Sequence, residues 1–224
     1  QDIARMANAG LNRIHIGLES GSDKVLKMVK KGVTKATHIK AGQNVRKAGM
    51  ELSEYVMPGL GGKALSKEHA LETADTLNQI DPDFIRLRTL AIPNLVPLHD
   101  ELEKGGFEKP TDVEMAKEIL LFIDSLENIR SVIKSDHILN LFEEVEGTLP
   151  EDTEKITAPL RRFLSMDPRR QCLFQVGRRM GVLRTLNDME SPRRLARIEQ
   201  TCRENNITPE NVDTVIDELM KRFI

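Results

Sequence analysis

The sequence predicts an α/β fold built on parallel strands and followed by a small all-α C-terminal part. Three strand–helix units follow one another between Gly10 and about Gly105, and units of this length place their strands parallel, with right-handed crossovers. Beyond residue 160, three short helices introduced by prolines replace this pattern. Three units are too few for an eight-stranded barrel, so the alternatives are a half TIM-like barrel or an open sheet.

The composition of the 224 residues fits a soluble globular protein, with 39% apolar residues, 30% charged residues and a net charge of -2. The N-terminus has no signal segment, and no run of about 18 apolar residues predicts a membrane-spanning helix. We therefore expect a cytoplasmic protein without a membrane partner. The two cysteines, Cys172 and Cys202, form neither a zinc nor an iron–sulfur motif, so we expect no metal ligands in this sequence.

The first predicted strand, residues 13–18, ends in the most informative side chain of the chain. Its apolar residues alternate with small or polar ones, so one face packs on helices and the other faces a cavity. Glu19 follows at the carboxyl end, where parallel sheets and barrels bind their ligands. Gly21 then allows the chain to turn into a helix near residues 22–30. Glu19 is either a ligand contact or a cap of that helix.

The later elements follow from the same periodicities, and we divide the chain into two predicted domains, residues 1–160 and 161–224. Residues 93–97 form a proline-containing loop. The remaining predicted elements are helix 35–48, strand 52–57, a helix capped by Ser66, strand 83–90, helix 111–126, a strand-like run at 130–134, helix 151–164, and helices beginning at Asp167-Pro168, Ser191-Pro192 and Thr208-Pro209, the last with Val212, Val215, Ile216, Leu219 and Phe223 on one side.

Charge divides the second half of the chain. Residues 97–156 contain 16 Asp or Glu and 6 Lys or Arg, whereas residues 161–203 contain 11 Arg, no Lys and 4 acidic residues. Clustered arginines are typical of a surface that binds nucleic acid. The alternative, which we favour, is that the arginines are solvated or pack against the acidic middle of the same chain, since no aromatic residues alternate with them.

Five segments in a fixed order carry a family resemblance: GLESGSD (17–23), VLKMVKKG (25–32), AGM (48–50), MPGLGG (57–62) and RLRTL (86–90). Together they resemble the radical S-adenosylmethionine (radical SAM) enzymes, and most closely those related to oxygen-independent coproporphyrinogen oxidase, Elongator-type proteins and cobalamin-binding radical SAM proteins. The resemblance covers about residues 1–160. It implies a partial TIM-like barrel and an iron–sulfur oxidoreductase-like enzyme, in which S-adenosylmethionine (SAM) on a [4Fe-4S] cluster is cleaved reductively to a 5′-deoxyadenosyl radical.

The sequence departs from that family in one respect, because it has no Cys-x3-Cys-x2-Cys loop to hold the cluster. The resemblance maps residues 11–90 onto strands four to six of the family barrel, so we expect this chain to be the C-terminal half of a longer protein. The alternative is that a separate chain supplies the other half. The missing N-terminal half is then its first partner. Alone, the chain is expected to retain neither cluster nor SAM and to be inactive.

The resemblance also implies roles for individual residues. Glu19, Ser20, Lys31, Gly59, Leu90 and Ala91 match positions near SAM: Glu19 toward its methionyl or ribose part, Lys31 toward its carboxylate, and the last three near adenine. His15, Arg86 and Arg88 are weaker candidates for substrate contacts. From the residues alone, Lys31 reads as a solvated helix-end lysine, His15 as a core histidine, and the arginines as partners of surface acids. No catalytic residue can be named.

Other classes are less well supported. The glycines of 57–62 are not followed by Gly-Lys-Ser or Gly-Lys-Thr, which disfavours a phosphate-binding loop. No nucleophile elbow points to a hydrolase. The alternative to an enzyme is a binding module that docks on RNA or protein through its arginine-rich tail. The substrate and reaction of the enzyme are beyond what the sequence tells.

Overall fold

The computed structural model describes residues 2–93 and 96–220. Its helices are numbered α1 to α10 and its strands β1 to β5 in chain order. They are α1 (Asp2–Asn8), β1 (Arg13–Glu19), α2 (Asp23–Met28), α3 (Lys35–Lys47), β2 (Glu51–Val56), α4 (Gly62–Ile80), β3 (Phe84–Leu87), α5 (Pro97–Glu103), α6 (Asp112–Asp124), β4 (Val132–Lys134), β5 (Gly147–Thr148), α7 (Thr153–Leu164), α8 (Pro168–Arg179), a 3-10 helix (Leu186–Glu190), α9 (Pro192–Glu204) and α10 (Val212–Met220).

The strands form a single five-stranded sheet in the order β1-β2-β3-β4-β5. The pairs β1–β2, β2–β3 and β3–β4 are parallel, and β5 pairs with β4 in the antiparallel direction. Each crossover therefore leads to the next strand of the sheet, as in a TIM-like barrel and unlike a doubly wound sheet, whose strand order reverses. The predicted α/β fold, a partial barrel with flanking helices and a helical C-terminal part, is confirmed.

The two faces of the sheet differ as the sequence alternation predicts. Leu18, Leu52, Val56 and Ile85 point to one face and are buried there. The residues that alternate with them, among them His15, lie on the open face. The helices consequently cover the apolar face, and the polar face is left for other contacts.

A large apolar core extends from the sheet into the helical tail. Leu18 of β1 and Ile216 of α10 belong to the same buried cluster. Within it, the ring of Phe142 lies 5.2 Å from that of Phe163 in α7 and 5.8 Å from that of Phe174 in α8. The predicted boundary at residue 160 falls inside α7, and the division into two domains stays a prediction.

Three predicted boundaries differ in the structure. Ser66 does not cap a helix, because α4 already begins at Gly62 and the first amides of that helix bond to the Glu108 and Gly61 carbonyls. Strand 83–90 is shorter, since β3 ends at Leu87. Thr208-Pro209 opens a turn, and α10 starts only at Val212.

One helix lies where a loop was predicted, and the predicted strand-like run at 130–134 contains β4. Helix α5 begins at Pro97, where a loop was expected, because proline occupies its first turn. Residues 94 and 95 of that loop, and Phe223 of the last predicted stripe, lie outside the described residues. The run at 130–134 is a fourth parallel strand, β4. Within residues 2–93 and 96–220, helices are all too short or too polar to cross a membrane.

Candidate functional site

The carboxyl ends of the four parallel strands meet at one side of the sheet, which we call the carboxyl edge. Glu19 ends β1, and Pro58, Thr89 and Ser135 lie just beyond β2, β3 and β4. Loops at this end of a parallel sheet or barrel bind ligands in most enzymes of these folds. The loops that follow β1 to β4 therefore form the candidate site.

Glu19 and Lys31 form an ion pair at the end of β1. Glu19 Oε1 lies 2.8 Å from Lys31 Nζ, and each side chain keeps about 30% exposure, 29% and 28%. The pair lies over Gly17, because a Cβ added to Gly17 would be 3.2 Å from Oε1 and 3.3 Å from Nζ. An anionic and a cationic group thus stand side by side, reachable from solvent, above a residue without a side chain.

A buried histidine, His38 of α3, lies close enough to this pair to respond to its charges. Burial lowers the pKa of His38 from its usual value, and the charge of Lys31 lowers it further against the effect of Glu19. His38 Nε2 has no hydrogen-bond partner among the described residues. His38 is therefore neutral near pH 7 and leaves Lys31 as the cationic partner of Glu19.

The backbone at Glu19 is unusual. Glu19 has φ 62°, in the left-handed region that few residues other than glycine adopt, and the β1–β2 register shifts between Gly17 and Glu19. The Glu19 carbonyl accepts hydrogen bonds from the Met57 amide at 3.0 Å and from His69 Nε2 at 3.2 Å. Two donors thus hold this bulged conformation, which aims the side chain away from the ladder.

Ser20 and Gly21 form a closely packed turn after β1. Ser20 is buried, and its hydroxyl accepts a hydrogen bond from the Ser22 amide at 3.0 Å. The Gly21 amide donates to Thr73 Oγ1 at 2.9 Å, and a Cβ on Gly21 would lie 2.3 Å from the Glu72 carbonyl oxygen. The glycine is therefore required for α4 to pack against this turn. Ser20 shapes the turn, and its contact with SAM stays a prediction.

Gly59, in the loop after β2, has φ 87° and lies against two apolar side chains. A Cβ added to Gly59 would be 3.1 Å from the sulfur of Met115 and 3.7 Å from Leu90 Cβ. Its amide donates to Glu118 Oε1 at 2.7 Å. Gly59 and Leu90 thus lie together at the carboxyl edge, as the resemblance requires of two neighbours of one ligand.

His69 and Glu118, which the sequence did not single out, support these loops together with Ser66, which was predicted only as a helix cap. His69 Nδ1 lies 2.9 Å from Glu118 Oε1, and both side chains are almost fully buried, with 2% and 1% exposure. Ser66 Oγ donates to Glu118 Oε2. Their position in the buried stripes of α4 and α6 was the available signal, because His69 precedes Thr73 by four residues and Glu118 follows Met115 by three.

The end of β3 is fixed by Asn140, from the loop after β4. Its Oδ1 accepts hydrogen bonds from the Thr89 amide at 3.0 Å and the Thr89 hydroxyl at 2.8 Å, and its Nδ2 donates to the Leu87 carbonyl at 3.1 Å. These side-chain bonds replace the strand ladder, which explains why β3 is short. Leu90 is buried and Ala91 half-buried in the segment that follows.

The weaker candidates cluster on the open face of the sheet. His15 is exposed, which makes its interpretation as a core histidine wrong, and its ring stacks on Tyr55 at 5.7 Å. The guanidinium of Arg88 lies 4.7 Å from the centre of the same tyrosine ring. Asp136 forms ion pairs with Arg86, at 2.9 Å, and with Arg88, at 2.8 Å, and accepts a hydrogen bond from Arg88. Burial alone would raise the pKa of Asp136, but the hydrogen bond from Arg88 and the charges of both arginines lower it below its usual value.

Glu54, in the middle of β2, points to the apolar face and is fully buried. Neither carboxyl oxygen has a hydrogen-bond partner in the described part of the chain. Burial raises the pKa of Glu54 from 4.5 to about 8. Its carboxyl group is therefore protonated at neutral pH.

Much of the arginine-rich tail packs against the acidic middle of the chain. Arg178 is 7% exposed and donates to Glu143 and to the Leu141 and Asn140 carbonyls, and Arg179, 5% exposed, lies 3.5 Å from Asp112. These two arginines are thus parts of the interior. Arg170, Arg193 and Arg197 are exposed, and the described residues give them no acidic partner.

The described residues contain no group of three or more His, Cys, Asp or Glu side chains arranged to hold a metal ion. Cys172 and Cys202 are both buried, and burial raises the pKa of the Cys172 thiol to about 12. A [4Fe-4S] cluster needs several ionised thiolates at one place. The residues of this chain therefore do not fit such a cluster.

Comparison with known families gives a match for the first part of this chain. Residues 1–77 match the model of the Radical SAM superfamily, which is 77 of 224 residues. The matched stretch contains Glu19, Lys31 and Gly59. The resemblance to radical SAM proteins is confirmed.

Two curated relatives are described as tRNA uridine(34) acetyltransferase. The protein from Methanocaldococcus infernus is 25% identical over 127 residues, or 56% of this chain and 24% of its own length. That from Methanocaldococcus jannaschii is 24% identical over 127 residues, or 56% of this chain and 23% of its own length. This chain thus spans about a quarter of the length of the curated relatives it matches.

A solved structure has a similar fold. The archaeal Methanocaldococcus infernus Elp3 with an N-terminal deletion (1-46) superposes with a TM-score of 0.50 and 22% sequence identity, covering 60% of this chain and 32% of that chain. At this identity the likeness concerns the fold. It agrees with the sequential parallel sheet and its flanking helices.

Proposed function

We propose that this chain forms the C-terminal half of a radical SAM barrel and that its carboxyl edge binds S-adenosylmethionine. The Radical SAM match of residues 1–77 and the sequential order of the parallel strands support this proposal. The observation that carries it is the Glu19–Lys31 pair above Gly17. It lies at the edge where such folds bind ligands.

The pair matches the amino-acid end of SAM in charge. That end carries an ammonium and a carboxylate on one carbon atom, and charge-assisted hydrogen bonds to such groups are the strong ones. Glu19 accepts from the ligand ammonium, and Lys31 donates to the ligand carboxylate. The ligand ammonium then replaces Lys31 as the partner of Glu19, and the ligand carboxylate replaces Glu19 as the partner of Lys31. Neither residue is left unpaired.

The rest of the edge would receive the nucleoside. Gly59 lacks a side chain where the backbone of the second loop comes close to Leu90, and Ala91 follows at the surface. Apolar groups at this edge suit the face of an adenine ring. Ser20 contributes through the turn that carries Glu19.

The cluster is proposed to come from residues outside this sequence, because its two cysteines do not fit a [4Fe-4S] site. A bound cluster supplies the electron that cleaves SAM reductively in this family. This chain contributes binding and orientation of SAM. The missing half of the barrel is thus the partner this proposal requires, and the chain alone is inactive.

The experiment is anaerobic reconstitution of a complete protein, in which this chain is joined to residues that supply the rest of the barrel and a Cys-x3-Cys-x2-Cys loop. With SAM and dithionite, the wild type forms 5′-deoxyadenosine, and Glu19→Ala forms it at least about tenfold more slowly at limiting SAM. A protein with a bound cluster that yields no 5′-deoxyadenosine contradicts the proposal.

A second candidate concerns the substrate. The curated relatives are described as acting on tRNA, and Arg170, Arg193 and Arg197 leave exposed positive charge on the tail. Arginine contacts with phosphates release counterions, so binding that uses them weakens with salt. We propose that the protein acts on RNA and that these arginines, rather than Arg178 and Arg179, contact it.

Unfractionated tRNA is the probe for this second candidate. The double variant Arg193→Ala, Arg197→Ala binds it more weakly and with a salt dependence reduced by about one unit per lost contact. The control, Lys40→Ala with Lys47→Ala, removes the same charge from the exposed side of α3. Equal loss of affinity in both double variants contradicts a specific role for the tail.

A further inference from the structure

We infer that His69 and Glu118 are positioning residues. Together they hold the backbone of two segments at the carboxyl edge: the end of β1 at Glu19, called the first loop, and the segment after β2 at Gly59, called the second loop. The inference rests on the proposed binding of SAM at Glu19, Lys31 and Gly59, and it names what holds that site in shape. His69 lies in α4 and Glu118 in α6, behind the edge. Neither side chain belongs to the surface that the ligand would touch, since both are almost fully buried.

The two side chains connect the two loops directly. His69 Nε2 reaches the carbonyl of Glu19, at 3.2 Å, in the first loop. Glu118 Oε1 accepts from the Gly59 amide, at 2.7 Å, in the second loop. Because His69 Nδ1 and Glu118 Oε1 are 2.9 Å apart, the chain Glu19–His69–Glu118–Gly59 is continuous.

The direction of the hydrogen bonds follows from the groups at either end. A carbonyl oxygen only accepts, so His69 Nε2 carries a hydrogen and donates it to Glu19. Glu118 accepts from the Gly59 amide and from the Ser66 hydroxyl, and it shares one further proton with His69 Nδ1. Within this arrangement every polar atom of the two side chains has a partner.

The conformation of Glu19 explains why such support is needed. A left-handed φ of 62° at a residue with a long side chain is unfavourable, and it persists only when the surroundings fix it. The Met57 amide and His69 Nε2 are the two groups that bind the Glu19 carbonyl. Without His69, the Glu19 carbonyl loses one of its hydrogen bonds, and the bulge that places the Glu19 carboxylate beside Lys31 is less stable.

A buried histidine–glutamate pair contributes less to stability than apolar side chains of similar size would, so packing alone does not explain it. Burying a histidine and a glutamate requires full satisfaction of their hydrogen bonds, whereas leucine and methionine fill similar volumes without that requirement. Ala70, Met115 and Phe122 of the same two helices are buried apolar residues. The polar pair is consistent with a geometric role at the two loops.

Glutamine at position 118 tests the role with almost no change in shape. Its amide group offers one acceptor and one donor atom where the carboxyl group offers two oxygens that accept. If the glutamine oxygen accepts from Gly59 and His69 Nδ1, the neutral histidine has no hydrogen left for Glu19. If its nitrogen faces the histidine instead, the Gly59 amide loses its acceptor. In both orientations of the glutamine amide, one of the two loops loses a hydrogen bond that holds its backbone.

The experiment measures SAM affinity and amide hydrogen exchange in the complete protein. Glu118→Gln and His69→Leu weaken SAM binding about tenfold and speed exchange at the Met57 or Gly59 amides. His69→Gln, whose amide nitrogen still reaches the Glu19 carbonyl, binds SAM at least about threefold more tightly than His69→Leu. If His69→Leu does not fold, Glu118→Gln and His69→Gln decide: equal affinity to wild type in both overturns the inference.

The matched control is Gln175→Leu, which removes a buried polar side chain of α8 whose side-chain partners among the described residues are Asp112 and Asp213. It lowers stability without changing SAM affinity. A loss of SAM affinity in this control equal to that in Glu118→Gln shows general destabilisation and overturns the positioning role. A wild type that does not bind SAM overturns the proposed function itself. A wild type that binds, with unchanged exchange and affinity in the variants, overturns the positioning role alone.

Discussion

The carboxylate of Glu19 and the ammonium of Lys31 lie 2.8 Å apart across Gly17, although twelve positions separate them in the sequence. The turn that brings them together packs on α4 through Gly21, which has no room for a side chain. Opposite charges this close are stabilised by each other, and a ligand that carries both charges can replace each of them. The predictions below follow from this pair and its surroundings.

Gly17→Ala weakens SAM binding several-fold while the fold is kept, because the new methyl group would lie 3.2 Å from Glu19 Oε1 and 3.3 Å from Lys31 Nζ. Isothermal titration of the complete protein measures the effect. In a Lys31→Met background the same change costs less, since the pair is already broken. An equal cost in both backgrounds shows that Gly17 acts elsewhere.

Glu54→Gln removes a pH dependence of stability. The pKa of Glu54 is about 8 in the folded chain against 4.5 ordinarily, so the folded state holds an extra proton between these values. The free energy of unfolding therefore falls as pH rises from about 4.5 to 8, by up to about 5 kcal/mol, and levels off above. Urea unfolding of the chain at several pH values shows this slope in wild type and a flatter one in Glu54→Gln.

Glu51→Gln is the control for this prediction, because Glu51 lies in the same strand but is exposed and pairs with Arg13. Its variant keeps the slope of wild type. Identical slopes in wild type and Glu54→Gln would mean that Glu54 is not buried as described.

Arg178→Met destabilises the chain by about 3 kcal/mol, whereas Arg193→Met changes its stability by less than about 0.5 kcal/mol. Arg178 is buried and donates to the Leu141, Leu183 and Asn140 carbonyls and to Glu143, and all four acceptors lose this donor. Arg193 is exposed. Chemical denaturation compares the two variants, and similar values for both contradict the internal role of Arg178.

Asp136→Asn strengthens binding of anions to the open face of the sheet. Asp136 occupies both Arg86 and Arg88, and its removal leaves two guanidiniums beside the Tyr55 ring. Inorganic pyrophosphate at low ionic strength is then bound about fivefold more tightly. Asp124→Asn, which frees Arg161 at the surface, has no such effect. If neither variant gains affinity, the two arginines do not form an anion site.

The alternation of apolar residues was enough to predict β1, β2 and the two faces of the sheet, since strand periodicity depends only on local sequence. It also placed Glu19 at the carboxyl edge. The family resemblance assigned Glu19 and Lys31 to SAM, but their ion pair was not predicted, because periodicity gives the direction of a side chain and not its partner. Whether the two bind SAM stays a prediction.

The supporting contacts were out of reach for the same reason. His69 and Glu118 are 49 positions apart, and their meeting depends on how α4 and α6 pack. Asn140 ends β3 from 51 positions away, through bonds to Thr89 that no local pattern encodes. Packing of arginines against the acidic middle of the chain was expected as one alternative, but the sequence did not show that Arg178 is one of those that are buried, because its acceptors are distant in sequence.

The affinity of the complete protein for SAM tests the central claim most directly. Glu19→Gln and Lys31→Met each weaken binding about tenfold, and the double variant loses less than the sum of the two free-energy changes, because the residues act as a pair. Lys24→Met, which breaks the exposed pair with Glu68 nearby, leaves the affinity unchanged. SAM binding as tight as wild type in both Glu19→Gln and Lys31→Met would contradict the assignment of this edge as the SAM site.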